Sequence, residues 1–181
     1  IKYLKKRRFD IEYLEGVWSL GGIGIAPYLQ WRLFIPIYLQ GEIVSWTTRG
    51  IEKSQNRYIS ARPHQEKINH KHLLYGEDYV RHSVVVCEGP SDAWRIGTGA
   101  VATFGTVVTP QQVARIAKYP VRVICFDNDK EAQAQASRLV DTLSIMPGTT
   151  YNVVLNSKDP GDATDEEVRE VRRRFLDYSP L

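Results

Sequence analysis

Glu88, Asp127 and Asp129 are the residues whose types and spacing could do chemistry. Each follows an apolar run: Val84-Val85-Val86-Cys87 leads into Glu88, and Val123-Ile124-Cys125-Phe126 leads into Asp127-Asn128-Asp129. Runs of that length read as strands buried on both faces. Carboxylates just past such strands stand at the carboxyl edge of a parallel sheet, where open α/β folds bind ligands. Three acids gathered there repel one another unless a cation joins them. Oxygen-only ligands suit Mg²⁺ or Mn²⁺. The expected chemistry is therefore metal-assisted work on phosphate. Asp127 and Asp129 are two residues apart and share a side, with Asn128 pointing away. The competing reading is an Asn/Asp turn that caps the next helix; that needs one Asp and leaves the second and Glu88 over.

Other residues could support such a site. Asp92 falls in the first turn of a helix, where it favours the helix dipole and can bond the loop backbone. Asp159 and Asp162 follow a later strand and could add to a metal shell, although Asp-Pro-Gly-Asp is also a good turn. Gly105 and Thr106 would let the backbone come close to a phosphate or an acidic neighbour.

The elements that must position these residues are legible from periodicity. From residue 83 onward β and α segments alternate. Strands are expected at 83–87, 100–103, 121–126 and 151–155. Helices are expected over about 91–97, from the capping box Thr109-Pro110-Gln111-Gln112, over about 130–143, and from Thr164-Asp165-Glu166-Glu167. Repeated β–α units imply a parallel sheet. The first part differs. A short basic helix or arm leads into a turn-rich stretch up to residue 30, and Gly21-Gly22-Ile23-Gly24, with no Gly-Lys-Ser/Thr after it, reads as a loop. Antiparallel strands are expected at 31–38, with Pro36 marking an edge, at 42–49 after a Gln40-Gly41 turn, and at 56–60. Residues 61–82 read as a polar linker with short helical pieces. Trp31, Trp46 and Trp94 could stack on bases, but core packing is the better reading for all three.

Bulk properties narrow the class. The 181 residues carry a net charge of +3, but residues 1–82 hold 13 Lys/Arg against 8 Asp/Glu and residues 83–181 hold 11 against 13. A basic half beside an acidic, metal-ready half suits a polyanionic substrate lying between them. Two cysteines and no Cys-x-x-Cys exclude a zinc ribbon, and Cys87 and Cys125 read as reduced core thiols. No apolar stretch is long enough to cross a membrane, and the basic start lacks the apolar core of a signal peptide. The chain begins at Ile1, not Met, so a fragment of a longer protein is expected.

Taken in order, Glu88-Gly89-Pro90-Ser91-Asp92, Thr103-Phe104-Gly105-Thr106, Phe126-Asp127-Asn128-Asp129 and Asp159-Pro160-Gly161-Asp162 resemble the motifs of a Toprim domain. That domain is shared by bacterial-type primases, type IA and II topoisomerases, small nucleases and recombination-repair proteins. Upstream, Arg32-Leu33-Phe34-Ile35-Pro36-Ile37, Gly41-Glu42-Ile43-Val44-Ser45, Arg49, Arg57-Tyr58-Ile59-Ser60 and Leu74-Tyr75-Gly76 are similar to the catalytic core of bacterial and phage DnaG-type primases. The resemblance runs from about residue 4 to 165. Thr47-Thr48-Arg49 stands where the family usually has Gly-Gly-Arg, and Arg57-Tyr58 where it usually has Lys-Tyr.

The resemblance implies an α/β protein: a small mixed α/β N-terminal subdomain (1–82) followed by a Toprim parallel-sheet, Rossmann-like subdomain (83–181). It implies a nucleotidyltransferase that makes short RNA primers on single-stranded DNA. Glu88, Asp127 and Asp129 would be catalytic and hold two Mg²⁺ or Mn²⁺ ions, with Asp159 and Asp162 as further ligands. Arg49, Arg57, Lys67 and Lys71 would bind the nucleotide or the template, and Gly89, Asp92, Gly105 and Thr106 would support the site. The expected partners are a single-stranded DNA template, ribonucleoside triphosphates, a replicative helicase, and zinc-ribbon and helical modules not contained in this sequence. The expected setting is the cytoplasm of a bacterial or phage-infected cell, in DNA replication of a phage or mobile element. Two other readings stand beside it: a Toprim nuclease that cleaves DNA or RNA, and a non-catalytic nucleic-acid-binding Toprim module.

Overall fold

The computed structural model describes residues 1–52 and 56–177. The chain divides into two compact units, Ile1–His70 and Lys71–Leu181.

The first unit begins with α1 (Lys2–Lys6) and α2 (Ile11–Trp18). Asp10 starts α2 by accepting a hydrogen bond from Tyr13 N–H, and Ser19 ends it in a left-handed conformation. A second helix was not expected here; its apolar face is short, with Leu14 and Trp18 buried. An antiparallel sheet follows, in the order β1 (Gly21–Ile23), β2 (Arg32–Leu39), β3 (Glu42–Gly50), β4 (Tyr58–Ser60). The Gly21–Ile23 segment is thus a strand and not the expected loop. It pairs with Arg32, Leu33 and Phe34, and pairing to an existing strand supplies what its own side chains do not. β2 lies inside the sheet, contrary to the edge reading of Pro36. β1 covers only the first three residues of β2, so Pro36 pairs with Trp46 on one side and needs no donor on the other.

Gln40 (φ 55°) and Gly41 (φ 78°) make the two-residue turn between β2 and β3, both in the left-handed region that the twist of a hairpin favours. A bulge between Ile37 and Tyr38 shifts the register near Val44, whose carbonyl accepts the N–H groups of Lys67 and Ile68. Arg32 is buried and ties β2 to β3 and to the residue just before β4. Its Nε donates to Thr48 Oγ1 at 2.7 Å, and its Nη2 donates to the carbonyls of Thr48 and Arg57. Burial lowers its pKa from the ordinary value.

The second unit holds a parallel sheet in the order β6 (Ala100–Ala102), β5 (Ser83–Cys87), β7 (Val121–Ile124), β8 (Thr149–Asn152). Helices α3 (Pro90–Ile96), α4 (Pro110–Ile116) and α5 (Lys130–Ser144) connect the strands, and α6 (Asp165–Val171) follows the last. Val84, Val86, Val101 and Ile124 pack with Ile116, Phe126 and the α5 residues Ala132, Ala136, Leu139 and Leu143. β8 runs over 149–152 instead of 151–155, because its register follows β7, with Val121 opposite Thr149. Arg122 is also buried, with Nη2 donating to the Met146 carbonyl past the end of α5. Gly148 (φ 111°) keeps this corner tight: a Cβ there would stand 2.7 Å from the Pro120 carbonyl oxygen.

Residues 61–82, expected as a polar linker, contain three short 3₁₀ turns and bury Leu73, Leu74 and Tyr75. Tyr75 forms a two-way backbone bridge with Ala102, so this stretch extends the second unit's sheet beyond β6.

Candidate active site

The sheet order determines where a site can form. The chain passes from β5 to β6 on one side and then crosses to β7 on the other, so the order reverses between β5 and β7. The crevice outside the carboxyl ends of two such strands is the usual ligand position in open α/β sheets. Glu88 follows β5 and Asp127 lies three residues past β7. They meet there: Asp127 N–H donates to Glu88 Oε1 at 3.0 Å. The ladder leading to them continues past the named strands, with Cys125 N–H bonded to the Val86 carbonyl and Thr103 N–H to the Cys87 carbonyl.

The backbone of Glu88 is held from the β6 side. Gly105 N–H donates to the Glu88 carbonyl at 2.9 Å, from a turn in which Phe104 (φ 62°) and Gly105 (φ 126°) both have positive φ. Thr103 Oγ1 bonds the Gly105 carbonyl at 2.7 Å, and Lys71 Nζ donates to the Phe104 carbonyl at 2.6 Å. Burial lowers the pKa of Lys71. Gly105 therefore bonds the backbone of Glu88, and Thr106 is half-buried in the same turn. On the other side, Gly89 N–H donates to Asp92 Oδ2 at 2.8 Å. Asp92 is buried, and this bond shapes the turn from Glu88 into α3.

Asp129 is exposed and is the N-cap of α5. Its Oδ1 accepts from Glu131 N–H at 2.9 Å and from Ala132 N–H at 3.0 Å. Asn128 turns toward the next loop, its N–H bonding the Lys158 carbonyl and its Nδ2 the Leu155 carbonyl. Asp159 Oδ1 accepts from Asp162 N–H at 2.8 Å, which closes the turn between them. Arg95 Nε on α3 reaches the Gly161 carbonyl at 3.4 Å, so this turn lies beside α3.

Cys87 immediately precedes Glu88, and its thiol is pushed well above the ordinary value, first by burial and then by Cys125, Asp92, Asp127 and Glu88. Cys125 rises to about 12, again through burial first, followed by Asp92, Asp127 and Glu167. Both thiols therefore stay protonated at neutral pH and are poor metal ligands. The donors left at this edge are carboxylate oxygens, which is the donor chemistry of a hard divalent cation. Among the described residues, no three His, Cys, Asp or Glu side chains are grouped closely enough to hold an ion as they stand.

The cations assigned from sequence behave individually. In the first unit, Arg49 Nη1 donates to the Tyr58 hydroxyl at 2.7 Å, and its guanidinium lies 4.9 Å from the Tyr58 ring centre and 5.9 Å from that of Tyr3. Arg57 has an exposed side chain, and its carbonyl accepts from Gly50 N–H. Lys67 pairs with Glu42 at 2.8 Å on the surface. Lys71 belongs to the second unit.

Residues 85–164 match the Toprim-like family. The whole chain resembles the zinc-binding and RNA polymerase domains of the Aquifex aeolicus primase, with TM-score 0.79 and 20% identity over 96% of this chain and 54% of that one. It resembles a DnaG primase catalytic domain solved with single-stranded DNA, with TM-score 0.77 and 18% identity over 96% of this chain and 70% of the other. It also resembles the primase fragment of the bacteriophage T7 primase-helicase, with TM-score 0.64 and 17% identity over 92% and 72% of the two chains. The fold is that of a DnaG-type primase catalytic core. The chain spans about half the length of that Aquifex primase chain. No curated protein matches it in sequence. Within this fold, the Toprim-like region carries Glu88, Asp127, Asp129, Asp159 and Asp162.

Three residues outside the sequence reading of the site hold it in shape. Gln112 is fully buried; its Nε2 donates to the carbonyls of Leu73 and Thr103, each at 2.9 Å, and its Oε1 accepts from Thr109 N–H. Gln133 Nε2 donates to the Asp127 carbonyl at 2.9 Å. Glu167 accepts from Ser157 N–H and Oγ and from Thr164 N–H and Oγ1. The Thr109–Gln112 and Thr164–Glu167 capping boxes were visible as local signals, but their long-range bonds to Leu73, Thr103 and Ser157 had none.

Proposed function

We propose that this chain is the catalytic core of a DNA primase, joining ribonucleotides into short primers on single-stranded DNA. The observation that carries the reading is the meeting of Glu88 and Asp127 at the β5/β7 switch point of a fold shared with primase cores. Glu88, Asp127 and Asp129 would hold two Mg²⁺ or Mn²⁺ ions, with Asp159 and Asp162 nearby in the fold as further oxygen donors. Bound ions of this kind supply Lewis acidity to the attacking 3′-hydroxyl and charge neutralisation to the leaving pyrophosphate.

The chain's own residues do the rest. Gly105 and Asp92 fix the backbone around Glu88, so that its carboxylate direction is set before substrate arrives. Gln133 and Asn128 restrain the Asp127–Asp129 turn in the same way. On the first unit, Arg49 is held by Tyr58 and presents a preoriented guanidinium, suited to a phosphate group. Arg57, exposed, can contact a nucleotide or template phosphate, and Lys67 and Lys71 are further candidate contacts. A replicative helicase and modules outside this chain would bring the core to its template.

The test supplies single-stranded DNA, labelled ribonucleotides and Mg²⁺. Oligoribonucleotide synthesis is expected, lost on chelation by EDTA and reduced at least about a hundredfold by Glu88→Gln. Metal-dependent cleavage of DNA or RNA without ribonucleotides would replace this reading with a Toprim nuclease. The Toprim-like match covers only the acidic region and is compatible with that chemistry. DNA binding with neither activity, unaffected by Asp127→Asn, would leave a binding module.

A further inference from the structure

We infer that Asn152, at the end of β8, is a positioning residue for Asp127 and acts through Gln133. The inference rests on one part of the proposed function, the role of Asp127 as a metal ligand, and adds a residue that lies outside the acidic loops.

Local geometry explains how Gln133 reaches Asp127. α5 starts at the Asp129 cap, and Gln133 N–H bonds the Asp129 carbonyl one turn in. Helical side chains lean toward the N-terminus, so Gln133 points back past the cap. Its Nε2 donates to the Asp127 carbonyl at 2.9 Å and lies 3.5 Å from the Phe126 carbonyl. Backbone carbonyls accept and never donate, so the amide must turn Nε2 toward them and Oε1 away. On that other side Asn152 Nδ2 donates to Oε1 at 3.1 Å. Asn152 is the last residue of β8 and pairs with Ile124 of β7. The bonds therefore run in one direction, from a donor on β8 through the Gln133 amide to the backbone of Asp127.

The bond to Asp127 matters because of what else holds that residue. Asp127 N–H donates to Glu88 Oε1 at 3.0 Å. The peptide after Asp127 is held on both sides: Gln133 bonds its carbonyl, and its N–H, that of Asn128, donates to the Lys158 carbonyl at 2.8 Å. A peptide unit is rigid, so tying the two units that meet at the Asp127 Cα restrains φ and ψ and sets the direction of its side chain. Lys158 immediately precedes Asp159, so the same peptide also links the two acidic loops. Asn152 is itself exposed, and substitutions of exposed polar residues change stability little. Its contribution is to orient Gln133. Residues that orient a ligand from outside change metal affinity without touching the ion.

The experiment measures Mn²⁺ binding to the full chain by electron paramagnetic resonance, with no nucleotide or nucleic acid added. Gln133→Met keeps the side chain's shape and removes the amide; it should weaken Mn²⁺ binding on the order of 10-fold. Asn152→Ala should weaken it by a smaller factor. In the Gln133→Met background Asn152→Ala should have no further effect, as a residue acting through Gln133 requires. Asn152→Asp keeps the shape but offers no donor, and should weaken Mn²⁺ binding despite its negative charge. Circular dichroism and thermal melting of both Asn152 variants should match the unaltered chain. Unchanged Mn²⁺ affinity in Gln133→Met or Asn152→Ala overturns the inference. So does an Asn152→Ala loss that is equally large in the Gln133→Met background, or Asn152→Asp binding Mn²⁺ as well as the unaltered chain. Unfolding of both Asn152 variants, or an unaltered chain that binds no Mn²⁺, overturns it as well. Absence of primer synthesis beside the expected binding pattern would defeat the primase reading and leave the positioning role standing; primer synthesis beside equal losses in the two backgrounds would do the reverse.

Discussion

Glu88 serves as both a candidate catalytic group and a structural acceptor, since Asp127 N–H ends on its Oε1. The two roles separate by substitution. Glu88→Gln keeps an oxygen in place for that N–H, so the fold should hold while activity falls. Glu88→Ala removes the acceptor from a half-buried position and should also cost about 1–2 kcal/mol in denaturant unfolding. A pair of unfolding curves for the two variants checks this. Asp129 shows the limit of reading single residues. The pairing of Asp127 with Asp129 was read as two ligands on one side of a strand, and the local alternative was a helix cap. The structure gives Asp129 the capping bonds, and a cap does not consume both oxygens of a carboxylate.

At the scale of elements, two long-range clasps hold the loops that carry the acids. Gln112 joins α4 to the Leu73 and Thr103 carbonyls, and Thr103 begins the turn that grips Glu88. Gln112→Ala leaves two buried carbonyls and the half-buried Thr109 N–H short of partners and should destabilise the protein by roughly 2–4 kcal/mol, measured by urea unfolding. Glu167 on α6 grips Ser157 and Thr164 at the two ends of the loop containing Asp159 and Asp162. Burial alone would raise its pKa, but these hydrogen bonds bring it down to about 2 from an ordinary 4.5. Its folded-state value lies below the unfolded one. The stability it contributes is therefore fully present above about pH 4.5 and lost as the pH falls toward 2. Glu167→Gln should show a smaller loss of stability between pH 5 and pH 3 than the unaltered chain. Parallel denaturant titrations at those pH values measure the difference.

For the whole molecule, the first unit carries 11 Lys/Arg against 6 Asp/Glu, and under the primase reading this excess would meet the phosphates of the template. The first unit's excess of cations predicts salt-sensitive binding to single strands, and each phosphate contact removed should make the slope of log K against log salt shallower by about 0.7. Arg57→Ala, on an exposed side chain, should show that change with little effect on thermal stability. Affinities measured from 50 to 300 mM salt would test it.

The strand–helix alternation from residue 83 was legible because β5, β6 and β7 lie in short, mostly apolar runs ended by turn or capping residues, as a covered parallel sheet requires, whereas β8, Thr-Thr-Tyr-Asn, is polar and was expected two residues later than it stands. The acids were legible for the same reason: polarity changes abruptly where the strands end. α2 and β1 were not legible. One presents too few apolar positions for a helical period to stand out, and the other is a Gly-Gly-Ile segment that is a strand only because β2 is beside it. By itself, the sequence determined which residues are acidic at strand ends and which local caps start the helices. Only the tertiary structure decided that the sheet order reverses between β5 and β7, that Gln112 and Glu167 reach across to distant loops, and that Trp31 faces solvent. Strand order, long-range hydrogen bonds and exposure depend on which segments pack together, and no local period or composition encodes that choice.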